Sequence, residues 1–147
     1  MTKLLLAPIA AFVFAASSHG VGGELAKGPN YVVEGGGECK ANTDCTVQIT
    51  LTAKNGFHVN NDYPYKFKAD EVAGVEYQGR DAGGKNVFSK AQGDFKIESK
   101  EKGSLTIKLK VAKPGEVKLT GKFKLSVCSD QNCQMDTADL AIPVKVK

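Results

Sequence analysis

Four cysteines are the residues of this chain best suited to chemistry. Cys39 and Cys45 lie six residues apart, and Cys128 and Cys133 five apart, within 147 residues. An even number of cysteines at such spacings reads as disulfides formed outside the reducing cytosol. A disulfide can be a passive crosslink, or its sulfur can be attacked by another protein's thiolate. His58 is the sole histidine after His19. On a Gly-Phe-His-Val-Asn turn it reads as a residue that caps or packs its own loop. With Met135, the pair Cys128 and Cys133 and His58 would make a soft ligand set suited to copper. No spacing holds these four together, and an oxidised pair cannot coordinate, so neither a metal nor another cofactor is expected. Signatures of hydrolases, zinc proteases and phosphate-binding loops are missing. Asp70-Glu71 and Glu98-Ser99-Lys100-Glu101 read as solvated turns rather than paired catalytic carboxylates.

Four cysteines allow three connectivities. A local pattern joins Cys39 to Cys45 and Cys128 to Cys133. An immunoglobulin-like one would join Cys45, on an early strand, to Cys128, on a late one. Strand phase separates them. Val117, Leu119, Phe123, Leu125 and Val127 share one face, whereas Cys128 falls on the other with Lys122, Lys124 and Ser126. An inter-sheet core bridge should point inward with Val127, and the tryptophan that packs on such a bridge is missing. Local pairing is therefore favoured. A bridge over the short Cys128–Cys133 loop stabilises by about 2 kcal/mol in the loop-entropy model, against roughly 4.5 for Cys45 to Cys128. Such a bridge is a weak staple, placed where another thiol can reach it. A structural hairpin clip remains open from spacing alone.

The elements around these residues read as an exported β domain. Lys3 followed by the apolar run Leu4 to Phe14 and the small residues Ala15, Ala16, Ser17 and Ser18 has the parts of a secretory signal. The run is shorter than the roughly 20 apolar residues a membrane helix needs. Cleavage is expected after Ser18 or Gly20, so residues 1–20 are assigned to the signal, and no membrane span is expected after it. Residues 21–30 are glycine-rich and read as a flexible leader, and residues 31–147 as one domain. The 20 basic and 16 acidic side chains leave a small positive excess, nearly all lysine at alternating positions such as Lys108, Lys110, Lys118, Lys122 and Lys124. That spacing reads as the solvated face of strands. Nucleic-acid binding would want clustered arginine with interleaved aromatics. Arg80 is the lone arginine and tryptophan is absent, so nucleic acid is not an expected partner.

No segment has a sustained helical period. Cys45 to Ala53 alternates cleanly, with Val47, Ile49, Leu51 and Ala53 on one face and threonines and Gln48 on the other, the pattern of a half-buried antiparallel strand. Further strands are expected at Tyr31–Val33, Tyr65–Phe67, Val75–Tyr77, Phe95–Ile97, Leu105–Val111, Val117–Val127 and Leu140–Val146. Asn55-Gly56, Gly83-Gly84, Gly103 and Pro114-Gly115 read as turns, as does Gly35-Gly36-Gly37. Pro143 places the last strand at an edge or a bulge. Seven or eight short strands separated by frequent turns predict an all-β, immunoglobulin-like antiparallel β-sandwich.

Val127-Cys128-Ser129-Asp130-Gln131-Asn132-Cys133 resembles the amino-terminal periplasmic domain of DsbD, the disulfide-bond corrector family. That family ends a late strand in Cys-[Ser/Asn/Ala]-Asp, with a second cysteine a few residues on. Gly56-Phe57-His58-Val59-Asn60, followed by Tyr63-Pro64-Tyr65, is similar to its Gly-aromatic-His-[Ile/Leu/Val]-Asn element. The likeness spans roughly Cys45 to Lys147. It implies an immunoglobulin-like fold in a periplasmic or secreted protein. It further implies that Cys128 and Cys133 cycle between disulfide and dithiol, with Cys133 meeting the partner and Cys128 resolving. The partners would be thioredoxin-like periplasmic proteins or a membrane electron donor, the reductant coming from another protein. His58, Tyr63, Tyr65 and Asp130 would shape the site, and Cys39 with Cys45 would be a structural clip. The contrasting reading is a secreted sandwich that binds or supports without redox chemistry, stabilised by its disulfides.

Overall fold

A computed structural model describes residues 22–147; the expected signal sequence lies outside them. Among the described residues there is no helix, hence none long and apolar enough to cross a membrane. The described residues form thirteen strands. They are β1 (Gly23–Gly28), β2 (Tyr31–Cys39), β3 (Asp44–Ala53), β4 (His58–Val59), β5 (Lys66–Ala69), β6 (Val75–Tyr77), β7 (Arg80–Asp81), β8 (Gly84–Lys85), β9 (Val87–Ser89), β10 (Phe95–Ile97), β11 (Lys102–Val111), β12 (Gly115–Cys128) and β13 (Cys133–Val146). One sheet runs β1-β2-β3-β11, with β10 and β6 sharing the far edge of β11. The other runs β9-β5-β12-β13, and β4 extends the line of β5 along β12. β7 and β8 form a separate small hairpin.

The sandwich is immunoglobulin-like and antiparallel throughout, except where β13 pairs parallel with the end of β2 over Gly37 to Cys39. Alternation explains the layers. Val47, Ile49 and Leu51 of β3 and Leu105, Ile107 and Leu109 of β11 bury one face. Leu119, Phe123, Leu125, Val127, Ile142 and Val144 bury the facing side of the other sheet. Each such side chain contributes about 1.5–3 kcal/mol by leaving water. Tyr65 and Phe95 stack between the sheets with ring centroids 4.0 Å apart.

Three segments depart from the sequence reading. Residues 23–28, assigned to a flexible leader, form β1 and pair with β2, and Leu25 and Ala26 pack on the core. Gly35-Gly36-Gly37 is no turn: it is where β2 leaves β3 and crosses to β13, joining the sheets. A Cβ at Gly35 would stand 2.7 Å from the Gln48 carbonyl oxygen, and Gly36 has φ +152°, so the crossing depends on glycine. Gly103, read as a turn, lies inside β11 beneath Phe95. Asn55-Gly56 does form a tight turn, with φ values of +57° and +82° and a bond from the Phe57 amide to the Lys54 carbonyl (3.0 Å). It turns the chain from β3 into β4, and so delivers His58 to the edge of β12. Pro143 lies where β13 is paired with β12 alone, just before its pairing with β2 begins at Val144.

Candidate functional site

β12 and β13 form a long hairpin in unbroken register from Gly115–Val146 to Cys128–Cys133. Its free end carries a disulfide between Cys128 and Cys133, whose Cα atoms are 4.0 Å apart. The next pair outward, Ser129 and Asn132, is hydrogen-bonded through the Ser129 amide and Asn132 carbonyl (2.7 Å). The cysteines thus occupy a non-hydrogen-bonded position, where opposed side chains approach most closely. Ser129 also shapes the turn: its Oγ accepts from the Gln131 and Asn132 amides, both at 3.2 Å. Asp130 sits exposed at the tip of this turn.

The two sulfur-bearing residues differ. Cys128 is 5% exposed, whereas Cys133 is exposed. Strand phase put Cys128 on the solvated face with Lys122 and Lys124, yet it is buried. The reason is a neighbour that phase cannot see. β4 pairs with the end of β12, setting His58 directly opposite Cys128 and Val59 opposite Val127. Directly opposed residues of an antiparallel pair project to the same side. His58, Cys128 and Cys133 therefore form one row across β4, β12 and β13. His58 is half-buried, with Nδ1 3.2 Å from the Val59 carbonyl oxygen.

One row further along, Ser126 is fully buried and Met135 stands opposite it, 71% exposed. The Asn60 amide side chain donates to Ser126 Oγ (3.3 Å), and the Asn60 backbone amide donates to Tyr65 Oη (2.9 Å). Tyr65 in turn donates its hydroxyl to the Ser126 carbonyl oxygen (2.7 Å). Tyr65 is completely buried, and burial holds its phenol far above its ordinary pKa. It supports the site from within rather than shielding it from outside. Tyr63, half-buried, meets Tyr65 edge-on at 5.2 Å, and burial raises its phenol also. On the inner face, Tyr31 donates to Asp136 Oδ2 (2.5 Å) and Asn30 Nδ2 to Gln134 Oε1 (3.2 Å), tying β13 to the β1–β2 turn. Burial first, then the Asp136 carboxylate, push the Tyr31 phenol up.

Thus His58, Cys128 and Cys133 come together, Tyr65 and Tyr63 lie behind them, and Asp130 stands apart at the tip. Ser126, Asn60 and Ser129 also build the site and were not singled out as site residues. The run Ser-Asp-Gln-Asn is typical turn chemistry and signalled Ser129; no pattern signalled Ser126. Among the described residues, no group of three His, Cys, Asp or Glu side chains could hold a metal ion.

Cys39 and Cys45 form the second disulfide, at the other end of β13, where Cys39 lies opposite Val146. Cys39 is 4% exposed and belongs to the core, with Cys45 packed against it. The intervening turn is closed by Thr43 Oγ1 on the Lys40 carbonyl (2.7 Å). Backbone bonds from Ala41 to Lys147 (2.8 Å) and from Asn42 to Val111 (2.8 Å) anchor it.

Fold and bridges together define a doubly disulfide-bonded immunoglobulin-like sandwich, and two disulfides point to folding in an oxidising compartment. No family model matches the sequence, and no curated protein matches it. Among solved structures, the chain is similar to the GAE domain of GGA2p from Saccharomyces cerevisiae. That match has 12% identity and a TM-score of 0.51, and covers 83% of this chain and 97% of that one. AggA, the major subunit of aggregative adherence fimbriae type I from Escherichia coli, gives 10% identity, coverage of 86% and 95%, and a TM-score of 0.37. PapD-like domain 7 of human CEP192 gives 11% identity, coverage of 100% and 96%, and a TM-score of 0.33. At this identity the likeness to the GAE domain establishes fold alone.

Proposed function

We propose that this protein is a periplasmic thiol–disulfide exchange module, similar in role to the amino-terminal domain of DsbD. The observation that carries the reading is the asymmetry of one bridge: an exposed Cys133 joined to a buried Cys128. A partner thiolate attacks the sulfur of Cys133, forming a mixed disulfide and releasing Cys128 as a thiolate. The partner's second thiolate then attacks its own sulfur in the mixed disulfide and releases Cys133. Two electrons have passed, the partner leaving as a disulfide and the module as a dithiol. The reverse sequence returns them. His58 stands directly opposite Cys128 in the β4–β12 pairing, and in this reading it shapes the surroundings of the leaving sulfur. Cys39–Cys45 has no exposed partner of this kind and serves as a clip.

The test is trapping. In Cys128→Ala the free Cys133 thiolate attacks the disulfide of an oxidised partner, releasing one partner thiolate, and the Cys128 thiolate that would complete this reverse sequence is absent. Incubated with periplasmic extract, this variant accumulates a covalent adduct with a thioredoxin-like protein, while Cys39→Ala and Cys45→Ala do not. Equal silence from all the variants would overturn the relay.

A second reading, a binding or structural sandwich without redox chemistry, is favoured by the register of the hairpin. The Cys128–Cys133 bridge joins directly opposed residues at the free end of a continuous ladder, where a crosslink prevents fraying. Under it, opening the bridge lowers stability and yields no specific adduct.

A further inference from the structure

The outer face that carries Cys133 also carries a square of lysines. β5 and β12 pair so that Lys66 lies directly opposite Lys124, and Lys68 directly opposite Lys122. Phe67, Ala69, Phe123 and Leu125 point into the core, which leaves all four ammonium groups on the outer side. Like charges directly opposed across strands are unfavourable, and here the arrangement occurs twice in adjacent rows. Two carboxylates offset part of it: Asp81 meets Lys66 at 3.1 Å, and Asp139 meets Lys122 at 2.6 Å. Among the described residues, no carboxylate is within ion-pair distance of Lys68 or Lys124. The square lines a hollow of about 240 Å³, with Val87 also lining it and Asp81 and Gly83 of the β7–β8 hairpin as a wall.

We propose that this lysine square docks an acidic segment of a partner protein and so presents the partner's thiol to Cys133; the second half of that statement rests on the exchange reading above. Three observations support it. The unpaired positive charge calls for carboxylates. The hollow, lined by Asp81 and Gly83 as well as the lysines, admits an extended side chain. The square is continuous with the bridge: along β12, Lys122, Lys124, Ser126 and Cys128 follow one another on the outer face, opposite Asp139, Thr137, Met135 and Cys133. Lys124 and Cys128 are four residues apart, or about 13 Å at the rise of a strand. A partner strand with acidic residues some four positions from its cysteine would match that spacing, and Met135 offers an exposed apolar contact between the two.

Four synthetic peptides test the proposal: an acidic one with a pair of glutamates and a basic one with a pair of lysines, each placed four residues from a single cysteine or, in a redox-silent twin, from a serine. The serine peptide reads docking alone, by fluorescence anisotropy on the full protein. Affinity should fall about tenfold or more in Lys68→Glu/Lys124→Glu, and also between low and high salt, as charge-steered contacts do. Lys68→Gln/Lys124→Gln should show an intermediate loss, and a lysine-for-glutamate peptide should fail to bind the native protein. Unchanged affinity in both variants overturns the docking surface. So does binding of anionic phosphatidylglycerol vesicles, lost in the variants, without peptide binding. The cysteine peptide then reads exchange. With each cysteine peptide supplied as its 2-thiopyridyl disulfide, the Cys133 thiolate of Cys128→Ala displaces pyridine-2-thione, and mixed disulfide that forms faster with the acidic peptide than with the basic one supports presentation. Docking of the serine peptide with no mixed disulfide from either cysteine peptide overturns presentation and the relay, and leaves the docking surface standing.

Discussion

The two disulfides are nearly equal in sequence span and opposite in setting. Cys39–Cys45 sits where β2 has crossed between the sheets, in the core, under a turn anchored by Lys147 and Val111. Cys128–Cys133 sits at the open end of a hairpin, one residue covered by β4 and the other exposed. Loop closure contributes much the same to each, about 2 kcal/mol in the entropy model. What distinguishes them is access and packing, neither of which depends on the spacing of the cysteines. The same short-loop bridge can be buried clip or reachable sulfur according to what the neighbouring strands do.

Four measurements would break or sharpen that contrast. The largest effect is in reduction. Under graded dithiothreitol with quenching by an alkylating agent, Cys128–Cys133 should open at least about tenfold faster than Cys39–Cys45, because exchange needs an open approach to sulfur. Opening in the reverse order would erase the distinction. Stability comes next and runs the other way. Cys39→Ala/Cys45→Ala should cost about 2–5 kcal/mol in urea unfolding, the range for native bridges in small secreted domains. Cys128→Ala/Cys133→Ala should cost less, near the loop term alone, since Cys133 is already exposed.

A smaller effect is expected from Tyr65→Phe. It removes the donor to the Ser126 carbonyl and the acceptor for the Asn60 amide, leaving these two groups only their longer bond to each other (3.4 Å), at a cost of about 1 kcal/mol. Hydrogen exchange should quicken at Asn60 and Cys128 while the Cys39 corner keeps its protection. Equal loosening at both ends would mean that Tyr65 supports the core only. The gentlest probe is alkaline pH. Tyr31, Tyr65 and Tyr77 all have phenols raised from 10.0, chiefly by burial, Tyr77 to about 12. The folded state therefore holds protons that the unfolded state releases above pH 10. Their contribution is complete below that value and declines as pH rises toward the folded pKa values. Tyr31 and Tyr65 brace the β12–β13 hairpin end, so alkaline hydrogen exchange should loosen Cys128 before Cys39. Tyr31→Phe should remove part of that pH dependence.

The fold class was legible because period-two alternation in Val47–Ala53 and Val117–Val127 demands half-buried strands, and turn residues separate them. The local pairing of cysteines followed from strand phase, since Cys128 and Val127 cannot both face the core. The candidate site was legible in part. The Cys128–Cys133 and His58 segments stand out as residue types, and Ser129 as turn chemistry. The burial of Cys128 was not legible, because it comes from β4, a two-residue strand too short to show a period. Ser126 was equally silent, since its role depends on Asn60 and Tyr65, brought to it across the sheet.

By itself, then, the sequence determined which residues alternate, which faces must be apolar and which cysteines can reach one another, all properties of a chain and its nearest neighbours. Only the tertiary structure decided that β1 pairs instead of trailing, that Gly35 to Gly37 carries β2 between sheets, and that Lys66 and Lys68 stand opposite Lys124 and Lys122. It also decided that one sulfur of a symmetric-looking pair is covered and the other is not. Cross-strand register sets each of these, and register joins residues far apart in sequence. It is chosen by the packing of the whole core, which no local pattern encodes.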